Sequence, residues 1–263
     1  MTNTISRQVL PTPEALRPWV AGIESVSVDA EHHEAYIQLP DATTKMVFRV
    51  GQDGRRSTLV VGPRTRASYH RGERFASCFE MRLAPGTTRP LLGVPAVDLA
   101  GRAMPLGDLP GDTARRLATE LGKLDPEEAV AHLSEVLPGR LAADRSRTDL
   151  VRAGVDAMSI RTGRLPGPVG DVARELAVSE RQLRSLFAEG VGLSPKHYAR
   201  IDRVHSVLAR ADDVPWAQLA VASGYYDQAH MTSDFRTLMG VPPRSYFSGR
   251  LPDPQPCRLA ARR

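Results

Sequence analysis

Cysteines, aromatic side chains and long apolar runs are all scarce in this chain of 263 residues. Only two cysteines are present, Cys78 and Cys257, and their wide separation argues against a disulfide framework and against a zinc site made of cysteines alone. No apolar run approaches the length of a membrane-spanning helix, so no membrane partner is expected. The N-terminal segment MTNTISRQVLPTPEAL lacks the basic start and apolar stretch of a secretory signal. We therefore expect a soluble, cytoplasmic protein.

The sequence also lacks the signatures of an enzyme. It contains no phosphate-binding glycine loop, no nucleophile elbow and no pair of carboxylates at characteristic positions, so neither catalytic residues nor cofactors are predicted. The run EHHE at residues 31–34 favours a solvated turn over a metal site, because adjacent histidines on a strand point to opposite faces. His70 is interpreted in the same way, and Cys78 is expected to be buried in a strand rather than redox-active. No metal ligands are predicted.

Positive charge is present in modest excess and is confined to one half of the chain. The formal net charge is +5. Residues 1–143 contain 17 Lys and Arg against 17 Asp and Glu, whereas residues 144–263 contain 18 against 13. This distribution is expected if the C-terminal half alone binds a polyanion, although three arginines of the tail contribute to it.

The hydrophobic pattern divides the chain into a β-rich part and a helical part. Between residues 20 and 83, β-branched and aromatic runs alternate with turn residues, which predicts a compact antiparallel sheet or barrel. The runs are GIESVSV, AYIQL, KMVFRV, STLVVG and FASCFEMRL. Helical spacing appears at residues 112–122 and 126–137. A polar stretch at residues 142–148 marks a boundary, and the pattern is helical from residue 149 to the tail.

An internal repeat is the most informative feature of the helical part. Six pairs of residues with the same chemical character are each separated by 48 positions. The first copy contains Ser179, Leu183, Phe187, Gly192, Pro195 and Tyr198, and the second contains Asp227, Met231, Phe235, Gly240, Pro243 and Tyr246. Such a repeat indicates a duplicated supersecondary unit. The spacing within each copy is typical of a helix-turn-helix.

In the first copy, Ser179 is predicted to cap the second helix of the motif, with Gln182 completing a capping box. The outward face of that helix carries Arg181, Arg184 and Ser185. The N-terminal end of such a helix enters a major groove, where arginine can donate two hydrogen bonds to guanine. These three residues are therefore predicted to read bases, in preference to forming a merely solvated face.

In the second copy, Asp227 is predicted to cap the reading helix and Gly224 to supply a left-handed turn. The outward face carries Gln228, Thr232 and Ser233, which are also predicted to read bases. This face is less basic than the first, so we expect it to contribute less base-specific affinity.

A connecting helix is predicted between the two copies. Ser194 caps it, Pro195 occupies its first position, and it runs to about Ala209. Its buried stripe is expected to contain Tyr198, Ile201, His205 and Leu208. At about 1.5 Å per residue this helix spans roughly 24 Å, so the two reading helices can reach successive major grooves, which lie about 34 Å apart.

With these motifs in place, the C-terminal part resembles the AraC-type (AraC/XylS) family of bacterial transcription factors. The segments SERQLRSLFAEGVGLSPKHYARIDRV and LAVASGYYDQAHMTSDFRTLMGVPPRSYF are similar to its two motifs, and the likeness covers nearly all of residues 149–247. The resemblance implies sequence-specific binding of double-stranded DNA, for activation or for repression. It also makes Lys196, Arg200 and Arg244 candidates for phosphate contacts.

Two positions depart from the family pattern. Ala177 stands in the first turn where the family usually has glycine, and Ser185 stands where arginine often occurs. The alanine is expected to cost about 1 kcal/mol if it must adopt a positive φ. The serine removes a phosphate or base contact, so the preferred site is expected to differ.

The N-terminal part resembles a companion domain found ahead of some AraC-type modules. The phrases LPDATTKMVFRVG, VVGPRTRA and MRLAPGTTRPLLGVPAVDLAGRAMPLGDL carry this likeness, at roughly residues 10–135. It implies a small cupin-like β fold followed by helices, with a sensing or dimerising role. It identifies no ligand.

We therefore predict an α+β chain with a β-rich sensing or dimerisation domain at residues 1–143, an all-α DNA-binding domain at 147–248 and a disordered tail at 249–263. Double-stranded DNA is the predicted partner, and RNA polymerase, a small-molecule effector and a second copy of the chain are further candidates. Three hypotheses stay open: a ligand-responsive regulator, a regulator whose N-terminal domain only oligomerises or docks, and an enzyme fused to a DNA-binding domain.

Overall fold

The computed structural model describes residues 5–28, 35–51, 54–71, 77–138, 145–161, 164–211 and 214–256. Two β-sheets form the greater part of its N-terminal half. Their strands are β1 (Ile5–Leu10), β2 (Val20–Val28), β3 (Ala35–Gln38), β4 (Lys45–Val50), β5 (Arg56–Val61), β6 (Ser68–Arg71), β7 (Ser77–Leu83), β8 (Ala103–Pro105) and β9 (Gln255–Pro256). The larger sheet has the order β1-β2-β7-β4-β5-β8 and is antiparallel throughout. The smaller has the order β3-β6-β9.

One face of the larger sheet forms the main core of the N-terminal part. Met46, Val60 and Met81 alternate with outward residues on neighbouring strands, so their side chains meet on the same face. They pack with the fully buried Trp19 and with three helices. These helices are α1 (Thr88–Leu92), α2 (Asp112–Leu121) and α3 (Pro126–Val136). The predicted β fold followed by helices is confirmed.

The opposite face of that sheet is partly polar. Cys78 is buried there beside Val47 and Leu59, as predicted for its strand. Lys45 Nζ lies 2.9 Å from Asp41 and 3.4 Å from Glu80, with only 12% of the lysine side chain exposed. This lysine holds the pKa of Asp41 below its usual value, although burial alone would raise that pKa.

The N-terminal part also contains the residues that the sequence analysis weighed as metal ligands. On the smaller sheet, His70 Nε2 lies 2.9 Å from Ser68 Oγ. Within the described ranges no cluster of three metal-ligating side chains occurs. The run at residues 31–34 and Cys257 lie outside those ranges.

The C-terminal part is helical, as predicted. Its helices are α4 (Arg145–Met158), α5 (Val169–Glu175), α6 (Glu180–Gly190), α7 (Pro195–Arg210), α8 (Trp216–Ala222), α9 (Gln228–Met239) and α10 (Pro243–Phe247). Two buried clusters form around Phe187 and Phe235. None of the helices that the structure describes is both long and apolar enough to cross a bilayer.

Three details differ from the sequence-based expectations. The tail was predicted to be disordered, but Gln255 pairs with His70 and places β9 alongside β6. Helix α4 begins at Arg145, inside the predicted boundary. On α7, Ile201 is buried as predicted, but His205 is exposed, and Ala199, Val204 and Val207 are buried in addition. His205 Nε2 lies 2.7 Å from the carbonyl oxygen of Pro40, in the N-terminal part, so a contact between the parts replaces burial there.

Candidate nucleic-acid interface

Two helix-turn-helix motifs stand in the C-terminal part, α5 with α6 (the first motif) and α8 with α9 (the second motif). The predicted N-caps are both present. Ser179 Oγ accepts from the backbone N–H of Gln182 at 3.1 Å, and Asp227 Oδ1 accepts from that of His230 at 2.7 Å. Each cap satisfies a backbone donor that the helix itself leaves free, so each reading helix has a fixed start.

The two motifs have equivalent aromatic residues in their interiors. Phe187 and Phe235 are fully buried, 48 positions apart. Phe187 meets Tyr198 edge to face with 5.8 Å between ring centroids, and Phe235 meets Tyr246 in the same way at 5.7 Å. The aromatic side chains are therefore core residues, as predicted, and none of these four is a base-stacking surface.

The outward face of α6 presents the three predicted residues together, all of them exposed. Arg184 forms an ion pair with Glu180, one turn earlier. Ser185 Oγ donates to Glu189 Oε1 at 3.2 Å. Arg181 forms no ion pair or hydrogen bond with any residue that the structure describes, so its guanidinium is available to DNA as it stands.

The predicted reading residues of α9 are neutral, although Arg236 is exposed further along the same helix. Gln228 and Ser233 are exposed. Thr232 is half-buried, and its Oγ1 donates to the carbonyl oxygen of Gln228 at 2.8 Å. The exposed ring of His230 packs edge to face on Tyr225, with 5.3 Å between the ring centroids.

Two of the predicted phosphate contacts occupy equivalent positions. Lys196 follows Pro195 at the start of α7, and Arg244 follows Pro243 at the start of α10. The two cations lie 48 residues apart, and both are exposed. Each motif therefore presents one cation at the first turn of the helix that follows its reading helix.

Arg200 lies in different surroundings. Its Nε donates to Asp234 Oδ1 at 2.6 Å, and the side chains are 27% and 7% exposed. The pair joins α7 to α9 beside Tyr225, whose pKa is raised by burial and further by the Asp234 carboxylate. Arg200 thus holds the second motif together. The phosphate contact remains a prediction, which this ion pair disfavours.

The turns of the two motifs have different lengths. In the first, Ala177 adopts a φ of 53°, and Val178 N–H donates to the carbonyl oxygen of Ala173 at 2.9 Å. In the second, Gly224 has a φ of 76°, and Tyr225 N–H donates to the carbonyl oxygen of Ala220 at 2.9 Å. The cap follows Val178 directly, but Tyr226 stands between Tyr225 and the cap of the second motif. The second turn is one residue longer.

Sequence reasoning missed a set of contacts between the N-terminal part and both reading helices. Gly86 N–H donates to the carbonyl oxygen of Gly190 at 2.9 Å, and Ala67 N–H donates to that of Leu238 at 2.7 Å. Gly190 and Leu238 lie 48 residues apart, so the two acceptors are equivalent atoms of the repeat. In addition, the hydroxyl of Tyr69 donates to the carbonyl oxygen of Met239 at 2.6 Å. We call these three donors the clamp.

Packing and charge reinforce the clamp. Ala42 packs against the cores of both motifs. Glu189 of α6 lies 3.3 Å from Arg89 of the N-terminal part and 2.7 Å from Arg147 of α4. A Cβ at Gly192 would lie 2.7 Å from the carbonyl oxygen of Ala96, so only glycine allows this approach. The sequence shows Gly192 as part of the repeat, but it does not show that Gly192 lies against Ala96.

Taken together, the duplicated, capped and outward-facing helices define a DNA-binding protein with two helix-turn-helix motifs. The comparisons with known proteins agree. A family model described as a helix-turn-helix domain matches residues 172–249, and a model described as a domain of unknown function (DUF6597) matches residues 7–105. The chain thus carries a helix-turn-helix domain at residues 172–249 behind a second domain of unassigned role, and its class is that of a DNA-binding transcription regulator.

Several solved structures are similar to this chain at low sequence identity. A transcriptional regulator from Chromobacterium violaceum, described as an AraC-type DNA-binding domain-containing protein, is 23% identical over 40% of this chain and 96% of its own, with a TM-score of 0.35. ToxT from Vibrio cholerae is 12% identical over 94% of this chain and 98% of its own, with a TM-score of 0.39. ToxT from the same organism with a bound unsaturated fatty acid is 12% identical over 96% of this chain and 99% of its own, with a TM-score of 0.39. No curated protein sequence matches the chain.

Proposed function

We propose that the protein is a sequence-specific regulator that inserts α6 and α9 into adjacent major grooves, while its N-terminal part governs how the two helices are placed. We further propose that residues 1–143 and 147–248 act as two domains in this function. The observation that carries the proposal is the repetition of one capped, outward-facing helix at each end of α7. Sixteen residues separate the ends of α7, which gives a length of roughly 24 Å.

Base reading is assigned chiefly to the first motif. Arg181 and Arg184 can each present a planar fork of donors to guanine O6 and N7. Arg181 is available as it stands, whereas Arg184 must exchange its Glu180 partner for DNA. Ser185 can add a neutral donor beside them once its hydroxyl leaves Glu189.

The second motif contributes neutral contacts. Gln228 can pair with adenine through its amide, and Ser233 can donate to either kind of base pair. Thr232 offers its methyl group to thymine, since its hydroxyl already bonds within the helix. This face therefore supports specificity with less electrostatic attraction than α6 supplies.

Positioning on the backbone is assigned to Lys196 and Arg244. Both are exposed at helix N-terminal turns, where the aligned peptide dipoles also favour an anion. Since they occupy equivalent places, they fix each motif on its phosphates in the same manner. Their contribution is expected to be independent of sequence.

The clamp suggests how the N-terminal part controls DNA binding. It holds the C-terminal ends of both reading helices, so a shift of the N-terminal part changes the placement of both helices or breaks these hydrogen bonds. A small molecule or a second chain that binds the N-terminal part can alter DNA affinity only if it favours one of those arrangements. The modulating partner is thus expected to act through Ala67, Tyr69 and Gly86.

Selection of bound duplexes from a random pool, using the full chain, tests the proposal. We expect a site with two half-sites whose centres lie about 10 base pairs apart. Arg181→Ala should then relax the preference at one position of one half-site. The matched control is Arg115→Ala, an equally exposed arginine on α2 in the N-terminal part. A pool without any enriched duplex would overturn the proposal.

A further inference from the structure

We propose that Tyr226 is a DNA-contacting residue of the second motif, with its hydroxyl on a backbone phosphate and its ring against the adjoining sugar. This inference rests on the proposed function and extends it to a residue outside the reading helix. It starts from the additional residue that distinguishes the second turn from the first. That residue is Tyr226, and 90% of its surface is exposed.

Tyr226 is exposed next to the start of a reading helix, where DNA is expected to bind. An isolated aromatic side chain on a surface needs no special explanation. Tyr226, however, directly precedes Asp227, the cap of the helix that carries Gln228. A side chain at this point stands at the mouth of the groove when the N-terminal end of α9 enters it.

The backbone around Tyr226 is fixed on both sides. Tyr225 is buried, and its N–H bonds to Ala220. Asp227 is held by its cap bond to His230 at 2.7 Å. Tyr226 is thus presented from an anchored backbone, so binding DNA costs little ordering of the main chain. Only the side-chain torsions must be fixed when DNA binds.

The chemistry of tyrosine fits this place. The Asp227 carboxylate next to it would repel a phosphate, and α9 offers no cation among its predicted base-reading residues. A phenol donates a hydrogen bond without carrying charge, and its flat ring provides contact area with only two side-chain torsions to fix. A neutral contact of this kind adds affinity without releasing counterions.

The last property separates Tyr226 from the cationic contacts. Loss of a lysine or arginine from a phosphate lowers the slope of log affinity against log salt by about 1. Loss of the tyrosine should weaken binding and leave that slope unchanged. We would measure binding of the selected duplex by fluorescence anisotropy between low and moderate salt, for wild type, Tyr226→Phe and Tyr226→Ala in the full chain.

We expect Tyr226→Phe to weaken binding by about threefold to tenfold, the range of one hydrogen bond, and Tyr226→Ala to weaken it further. Thermal stability should not change, because the side chain is exposed. Val221→Ala is the control, an exposed apolar residue on α8 of the same motif. Its affinity should match that of wild type.

Three outcomes would overturn the inference. If Tyr226→Ala binds within twofold of wild type while Arg181→Ala loses its preference, Tyr226 is not a contact and the regulator proposal stands. If Tyr226→Ala binds DNA normally but loses regulation in a reporter assay, the tyrosine contacts a protein instead. If wild type selects no duplex at all, the proposed function and this inference fail together.

Discussion

The two helix-turn-helix motifs of this chain share an aromatic core but differ at one buried position and on their outward faces. Phe187 and Phe235 occupy one buried position and make the same edge-to-face contact. At the position after Ser185 and Ser233, however, the first motif buries Leu186 and the second buries Asp234. The duplication has thus retained the packing that forms the motif. The charged residues differ: the second motif has the buried Arg200–Asp234 ion pair, and the first has the exposed Arg181 and Arg184 on its reading helix.

The Arg200–Asp234 ion pair of the second motif gives the largest expected effect on stability. Removing Arg200 leaves the buried Asp234 carboxylate unpaired, so Arg200→Ala should lower the free energy of unfolding by about 3 kcal/mol. The measurement is urea denaturation of the full chain. Lys196→Ala, an exposed cation on the same helix, should change it by less than about 0.5 kcal/mol. Unchanged stability with weaker binding to every duplex would instead establish Arg200 as a phosphate contact.

The difference in charge between the reading faces gives the second prediction. Arg184→Ala should cost about 2 kcal/mol on the selected site and relax the preference at one base pair. Gln228→Ala should cost about half as much, since it removes a neutral contact. Both are measured by competition binding against site variants. Equal losses on specific and random DNA for Arg184→Ala would contradict a base-reading role.

The two turns give the third prediction. Ala177 is the one described residue other than glycine with a positive φ, so Ala177→Gly should stabilise the fold by up to about 1 kcal/mol. The reciprocal change Gly224→Ala should destabilise it by about the same amount. Thermal unfolding of both variants measures the effect. A stabilising Gly224→Ala would show that the turns do not share this strain.

The clamp allows a test of how the motifs depend on each other. Burial raises the pKa of Tyr69 to about 12, so its phenol remains a hydrogen-bond donor even in alkaline solution. Tyr69→Phe should cost about 1 kcal/mol of stability. It should also weaken discrimination against duplexes with one additional base pair between the half-sites. Full discrimination in this variant would mean that α7 alone sets the spacing.

Histidines near the contact between the two parts give the smallest effect. Burial lowers the pKa of His70 and of His197 below the usual value. The unfolded chain then binds protons more readily than the folded one between pH 7 and 5, so the free energy of unfolding should fall as the pH falls through that range. Denaturation at a series of pH values measures this. His197→Gln should make the free energy of unfolding depend less on pH. The same pH dependence as in wild type would show that His197 does not contribute to it.

Patterns among neighbouring residues predicted the helices and caps of the site. They did not predict the contacts between distant residues that hold those helices in place. Ser179 and Asp227 could be recognised as caps because a cap acts on a backbone N–H three residues away. The Arg200–Asp234 pair spans 34 residues, and the bond from Tyr69 to Met239 spans 170. Nothing in a periodic pattern records such partners. For the same reason the sequence did not predict that Gln255, within the tail expected to be disordered, pairs with His70 in a short strand.

That short terminal strand has a mechanical consequence. A module joined to its neighbour by one flexible link can pivot about it, whereas one fastened at two distant points resists rotation. Here the reading module is connected covalently ahead of α4 and returns to the smaller sheet through β9. Removing residues 255–263 would take away this second attachment, and the resistance of the reading module to rotation would then rest on the covalent connection ahead of α4, the clamp and the contacts around it.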